Sequence, residues 1–88
     1  EQFVMTGVVC FADKDVNDAS DTVIEIYEAS SITSTTVDKT LIQFGMGKLT
    51  TVNLSTLNII VNVGKWVNAK TGDDDIHMTI MGYYIPRL

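Results

Sequence analysis

Apolar and polar residues alternate along this chain with a period of two, the repeat of a pleated strand with one buried face. In residues 57–63, Leu57, Ile59, Val61 and Val63 fall on one side, while Asn58 and Asn62 fall on the other. Residues 76–85 place Ile76, Met78 and Ile80 inward and His77, Thr79 and Tyr83 outward. Residues 22–29 put Ile24 and Ile26 on one face and Val23, Glu25 and Tyr27 on the other. Residues 39–46 align Ile42, Phe44 and Met46. Residues 3–11 are apolar on both faces, and 49–54 form a further short strand. No segment keeps an i, i+3, i+4, i+7 stripe beyond two turns. The hydroxyl-rich segment 30–36 fits a loop or an edge strand. The segments 45–48 and 68–75 read as turns by composition, and Gly64 breaks a ladder. Pro86 ends the last strand, since it has no N–H to donate.

The pattern predicts six to seven short strands in one all-β domain over residues 1–88. The expected architecture is an antiparallel β-sandwich, with jelly-roll-like topology as one arrangement. Val, Ile and Thr make up about a third of the 88 residues, in keeping with that class.

Composition adds further constraints. A hydrophobic share of 45% and a mean hydropathy of +0.19 are high for a chain with so modest a core. Apolar surface left outside after folding points to a partner or to oligomerisation. The net charge of −5, with six scattered Lys and Arg, argues against nucleic acid and against an anionic membrane. No apolar run approaches the roughly 18–20 residues of a membrane span. Cys10 is the single cysteine, so neither an internal disulfide nor a Cys-based metal site can form. Its apolar neighbours point to a buried packing thiol, with a reactive or intermolecular thiol as the alternative. A chain without disulfides suits a reducing compartment. Residue 1 is Glu rather than Met, the mark of a processed product or of a part of a longer protein.

The segment DKDVNDASD raises the question of a cation. Asp13, Asp15, Asn17 and Asp21 fall at positions 1, 3, 5 and 9 of an EF-hand frame. The frame then fails. Asp18 stands where glycine makes the sharp turn, and Ile24 stands where a bidentate glutamate is needed. Two readings stay open: a solvated acidic turn, or a calcium loop of another kind, which Asp73, Asp74 and Asp75 would join if the two loops share one end of the fold.

Catalytic chemistry has little to work with. His77 is the only histidine, no nucleophile-elbow sequence is present, and GMGK lacks the spacing of a phosphate-binding loop. Glu25 and Glu28 fall on opposite faces of their strand. No catalytic residue is assigned, and the chain is expected not to be an enzyme. Asn53-Leu54-Ser55 fits an N-glycosylation triplet, which would need a secretory route. Trp66, Tyr83 and Tyr84 suit either a sugar-stacking platform or the rim of a core and an oligomer contact. Together with Ile85, they are the candidate interface residues.

The acidic, Thr- and Val-rich texture, the lone cysteine and the closing HMTIMGYYIPRL resemble the small all-β structural proteins of tailed-bacteriophage virions, namely capsid decoration or cement proteins and tail or fibre β-domains. The resemblance spans most of the chain and contains no diagnostic motif. It implies a virion location and a homo-oligomer, often a trimer, clamping a larger shell or fibre protein. Two alternatives remain. One is a calcium- or carbohydrate-binding β-sandwich. The other is a cell-surface or extracellular filament subunit joined by strand exchange, with residues 3–11 as donor.

Overall fold

A computed structural model describes residues 2–12, 22–47, 49–72 and 76–86. They form seven strands: β1 (Gln2–Ala12), β2 (Thr22–Ala29), β3 (Lys39–Met46), β4 (Thr51–Leu54), β5 (Ile59–Ile60), β6 (Trp66–Thr71) and β7 (Ile76–Ile85). All pairings are antiparallel, and they sort the strands into two sheets. In one, β1 lies between β7 and the pair β4 and β5; in the other, β2 lies between β3 and β6. The fold is a small all-β sandwich, and its seven strands among the described residues match the six to seven expected.

The inner faces follow from the alternation. Met5, Val8, Cys10 and Ala12 of β1 meet Ile24 and Ile26 of β2 and Met46 of β3 in one buried cluster. Ile42, Phe44, Ile76, Met78 and Ile80 pack around it, on the faces their spacing predicts. Cys10 is a free thiol within this core, and burial pushes its pKa up. The structure therefore assigns it the packing role.

β1 takes a centre position because it is apolar on both faces. Its register against β7 shifts between Met5 and Gly7, which leaves Thr6 as a bulge. The bulge explains why residues 49–63 depart from their reading as two full strands. β4 pairs with residues 8–11 and β5 with Val4 and Met5, so the two lie in line on the same side of β1. Between them the chain breaks step, with Thr56 at a φ of 58°, and the Leu57 amide donates to the displaced Thr6 carbonyl at 2.9 Å. β5 is then only two residues long. Val61 is buried, but Val63, expected to point inward, is 57% exposed. It sits in a tight turn in which the Lys65 amide donates to the Asn62 carbonyl at 3.2 Å and Gly64 supplies the positive φ of 80°.

Residues 68–71 are also corrected. They belong to β6 rather than to a turn. Val67 lies opposite Glu28 and Ala69 opposite Ile26, so tertiary pairing overrides the turn preference of Asn and Lys. Segment 30–36 is a loop folded back over the outer face of the second sheet. The Tyr27 hydroxyl donates to the Ser34 carbonyl at 2.9 Å, and Asn68 Nδ2 donates to the Ser31 and Ser34 carbonyls, each at 3.0 Å. Tyr27, outward by alternation, is thereby left 2% exposed. Lys70 closes the same patch, with Nζ 5.4 Å from the Tyr27 ring centroid.

Candidate functional site

The register separates two ends of the sandwich. Ala12 lies opposite Ile76, and Ile24 opposite Thr71, at one end. Gln2 lies opposite Ile85, and Ala29 opposite Trp66, at the other. The candidate cation ligands Asp13, Asp15, Asn17 and Asp21, and with them Asp73, Asp74 and Asp75, lie outside the described residues. Among the described residues, no three His, Cys, Asp or Glu side chains gather where they could hold a metal.

The second end carries Phe3, Trp66, Tyr83 and Tyr84. A cleft of about 370 Å³ opens there, lined by Phe3, Asn62, Lys65, Trp66, Ile80 and Tyr84, among others. The Phe3 and Tyr84 rings lie 5.2 Å apart between centroids and tilt by 55°. The pair depends on Gly82. A Cβ at that position would overlap the Val4 carbonyl oxygen and stand 2.5 Å from Phe3 Cζ, so the Phe3 ring occupies the space a side chain would need. Trp66 and Tyr84 remain 49% and 64% exposed.

The polar rim of the cleft is anchored from below by Glu28. Its carboxylate is on the inward face of β2 and its residue is 1% exposed. A buried carboxylate needs donors, and both come from Asn62: the backbone N–H to Oε2 and Nδ2 to Oε1, each at 3.0 Å. This clamp ties the second sheet to the turn that follows β5. Next to it, Lys65 Nζ meets Asp38 Oδ2 at 2.8 Å, and the Ser30 hydroxyl donates to the same oxygen at 2.8 Å. Lys65 first, then Ser30, hold the Asp38 carboxyl below its ordinary pKa.

The four candidate interface residues are split between two places. Trp66 and Tyr84 line the cleft. Tyr83 and Ile85 belong to the opposite face of β7, in line with Met81, and all three are exposed. Phe3, Asn62 and Lys65 are the cleft residues that spacing along the chain does not single out. Glu28 had one visible signal: it continues the inward series Thr22, Ile24, Ile26, which places an acid where a partner is required.

A second feature is the edge of β7. Among the described residues this ten-residue strand pairs only with β1. The other edges are each guarded. β3 carries Lys39, and its register with β2 shifts between Ile26 and Tyr27. β6 carries Lys70, and Asn68 holds the 30–38 loop over its outer face. β4 and β5 are four and two residues long. β7 holds no Lys, Arg, Asp, Glu or Pro from Ile76 to Ile85. Charge, proline, brevity and bulges are the usual devices against edge pairing, and β7 has none of them.

Comparison of the chain with protein-family models, with curated proteins and with solved structures finds no match.

Proposed function

We propose that this chain is a non-enzymatic structural module that assembles with copies of itself through the outer edge of β7, which pairs with no second strand among the described residues, acting as a homo-oligomeric clamp within a larger shell or fibre. The single observation that carries the reading is the unguarded edge beside three guarded ones. Exposed Met81, Tyr83 and Ile85 on the outer face of the same strand add apolar surface that a neighbour would cover. A chain of net charge −5 repels its copies, but β7 itself brings no carboxylate to such a contact. The virion setting, as a capsid decoration or tail-fibre domain, follows from the resemblance in composition and strand texture.

The geometry narrows the mode of assembly. Two copies pairing antiparallel through β7 share a two-fold axis, and residues directly opposite each other point to the same face. Side chains alternate, so opposed residues have the same parity and the axis falls beside one residue. Near the strand's middle that residue is Ile80 or Met81. A ten-residue strand is about 34 Å long. Its pairing buries on the order of 1,000 Å² in total, near the lower limit of stable interfaces. The dimer therefore dissociates on dilution, and a higher oligomer such as a trimer needs a further contact.

Light scattering over a concentration series tests this, with Thr79→Lys as the probe. Thr79 is exposed on β7, so the lysine guards the edge without touching the core. The expected result is a mass rising toward the dimer for the native chain and a constant monomer mass for the variant, at equal melting temperatures. A native chain that stays monomeric at high concentration contradicts the proposal.

A further inference from the structure

The aromatic cleft has a separate use, independent of assembly through β7. Its volume of about 370 Å³ falls within the roughly 300–1,000 Å³ of small-ligand sites. Trp66 and Tyr84 contribute to its lining and stay about half-exposed, and the Phe3 ring packs against Tyr84. The polar side is set by the Glu28 clamp. Asn62 gives both its backbone N–H and Nδ2 to the buried carboxylate, which fixes the orientation of the amide. Asn62 Oδ1 is then a held acceptor, and among the described residues no donor occupies it. The Lys65 ammonium at the rim is neutralised by Asp38.

A half-exposed aromatic lining, one positioned acceptor and no uncompensated charge describe a site for a neutral ligand with an apolar face and a hydroxyl edge. Pyranose rings have that character: their C–H face stacks on aromatic rings and their hydroxyls donate. A nucleotide also stacks, but its phosphates meet a chain of net charge −5 with no free cation at this cleft among the described residues. We propose that the cleft binds one pyranose ring of a neutral saccharide, stacked on Tyr84 with Trp66 at the rim, and with a hydroxyl donating to Asn62 Oδ1.

Trp66 is the only tryptophan, so its emission reports on this cleft alone. The full chain is titrated with methyl glucoside, methyl galactoside and N-acetylglucosamine, and in a second arm with maltotriose, cellotriose and chitotriose. The first arm detects recognition of a free ring; binding confined to the second assigns the site to glycan chains. Tyr84→Ala, Tyr84→Phe and Tyr83→Ala are measured beside the native chain. Tyr83 is the control, with the same chemistry one residue away on the other face of β7. The proposal expects a saturable change with at least one sugar, retained in Tyr83→Ala and Tyr84→Phe. In Tyr84→Ala it expects about tenfold weaker binding. No saturable change with any of the six sugars up to tens of millimolar overturns it. Equal loss in Tyr83→Ala and Tyr84→Ala overturns it as well. Either failure leaves the mass of the native chain, and hence the assembly reading, unaffected.

Discussion

Removing the Asn62 side chain tests how much of the sandwich hangs on one buried carboxylate. Glu28 is 1% exposed, and its two oxygens accept from Asn62 at 3.0 Å each. Asn62→Ala deletes the Nδ2 donor and leaves the backbone N–H and the tight turn to Lys65 in place. A hydrogen bond to a charged group contributes about 1.5–3 kcal/mol, and the carboxylate left short of a donor has little water to replace it. A domain of this size has roughly 4–13 kcal/mol of total stability. The loss is therefore a large fraction, and it lowers the melting temperature by about 10 °C. Glu28→Gln behaves differently. If the Asn62 amide turns over, the new amide's oxygen accepts from the Asn62 N–H while its nitrogen donates to Asn62 Oδ1. The variant keeps two bonds and sheds a buried charge, so it loses less than about 1 kcal/mol. Thermal melting by circular dichroism, with urea titrations of both single variants and the double, closes the cycle. Asn62→Ala costs less in the Glu28→Gln background than in the native one, by about 1 kcal/mol, because a neutral bond replaces a charged one. An Asn62→Ala variant melting at the native temperature, or costing the same in both backgrounds, refutes the clamp as described.

Two other perturbations address separate parts of the structure. Gly82→Ala forces a Cβ into the Val4 carbonyl and the Phe3 ring, one a backbone atom that cannot move away, so equilibrium unfolding in urea shows a loss of about 3 kcal/mol or more. Asp38, held below its ordinary pKa by Lys65 and Ser30, contributes stability that is present above its unfolded pKa and is lost as pH falls through its folded pKa. Asp38→Asn therefore lowers stability at neutral pH and flattens the acid side of the stability curve. Salt reproduces part of the effect, since the pair is exposed; melting curves from neutral pH down into the acid range check both.

The period-two pattern is sufficient wherever a strand keeps an unbroken partner. Residues 22–29, 39–46 and 76–85 form strands with the bounds their alternation indicates, and Ile24, Ile26, Ile42, Phe44 and Met46 face the core. It misleads where a distant residue decides. The regular alternation of residues 57–63 is cut short by a bulge at Thr6, far away along the chain, and by the turn at Gly64. Tyr27 is outward by parity yet buried, because the 30–38 loop and Asn68 cover it. Residues 68–71 look like a turn by composition and form part of β6, since β2 offers them a ladder. For the candidate site, Trp66 and Tyr84 are legible as large late aromatics. Their separation from Tyr83 and Ile85 follows from the strand's alternation and from Gly82, which brings Phe3 against Tyr84. The cleft itself is built from both ends of the chain, a nonlocal pairing that no local spacing encodes.

Amide hydrogen exchange at two protein concentrations addresses the assembly claim most directly. Alternate N–H groups of β7 point away from β1 and exchange quickly in the monomer. The account predicts that those amides alone become protected when the protein is concentrated, while the outer edges of β3 and β6 keep the same rates. Unchanged exchange along β7, or new protection at β3 or β6 instead, contradicts it.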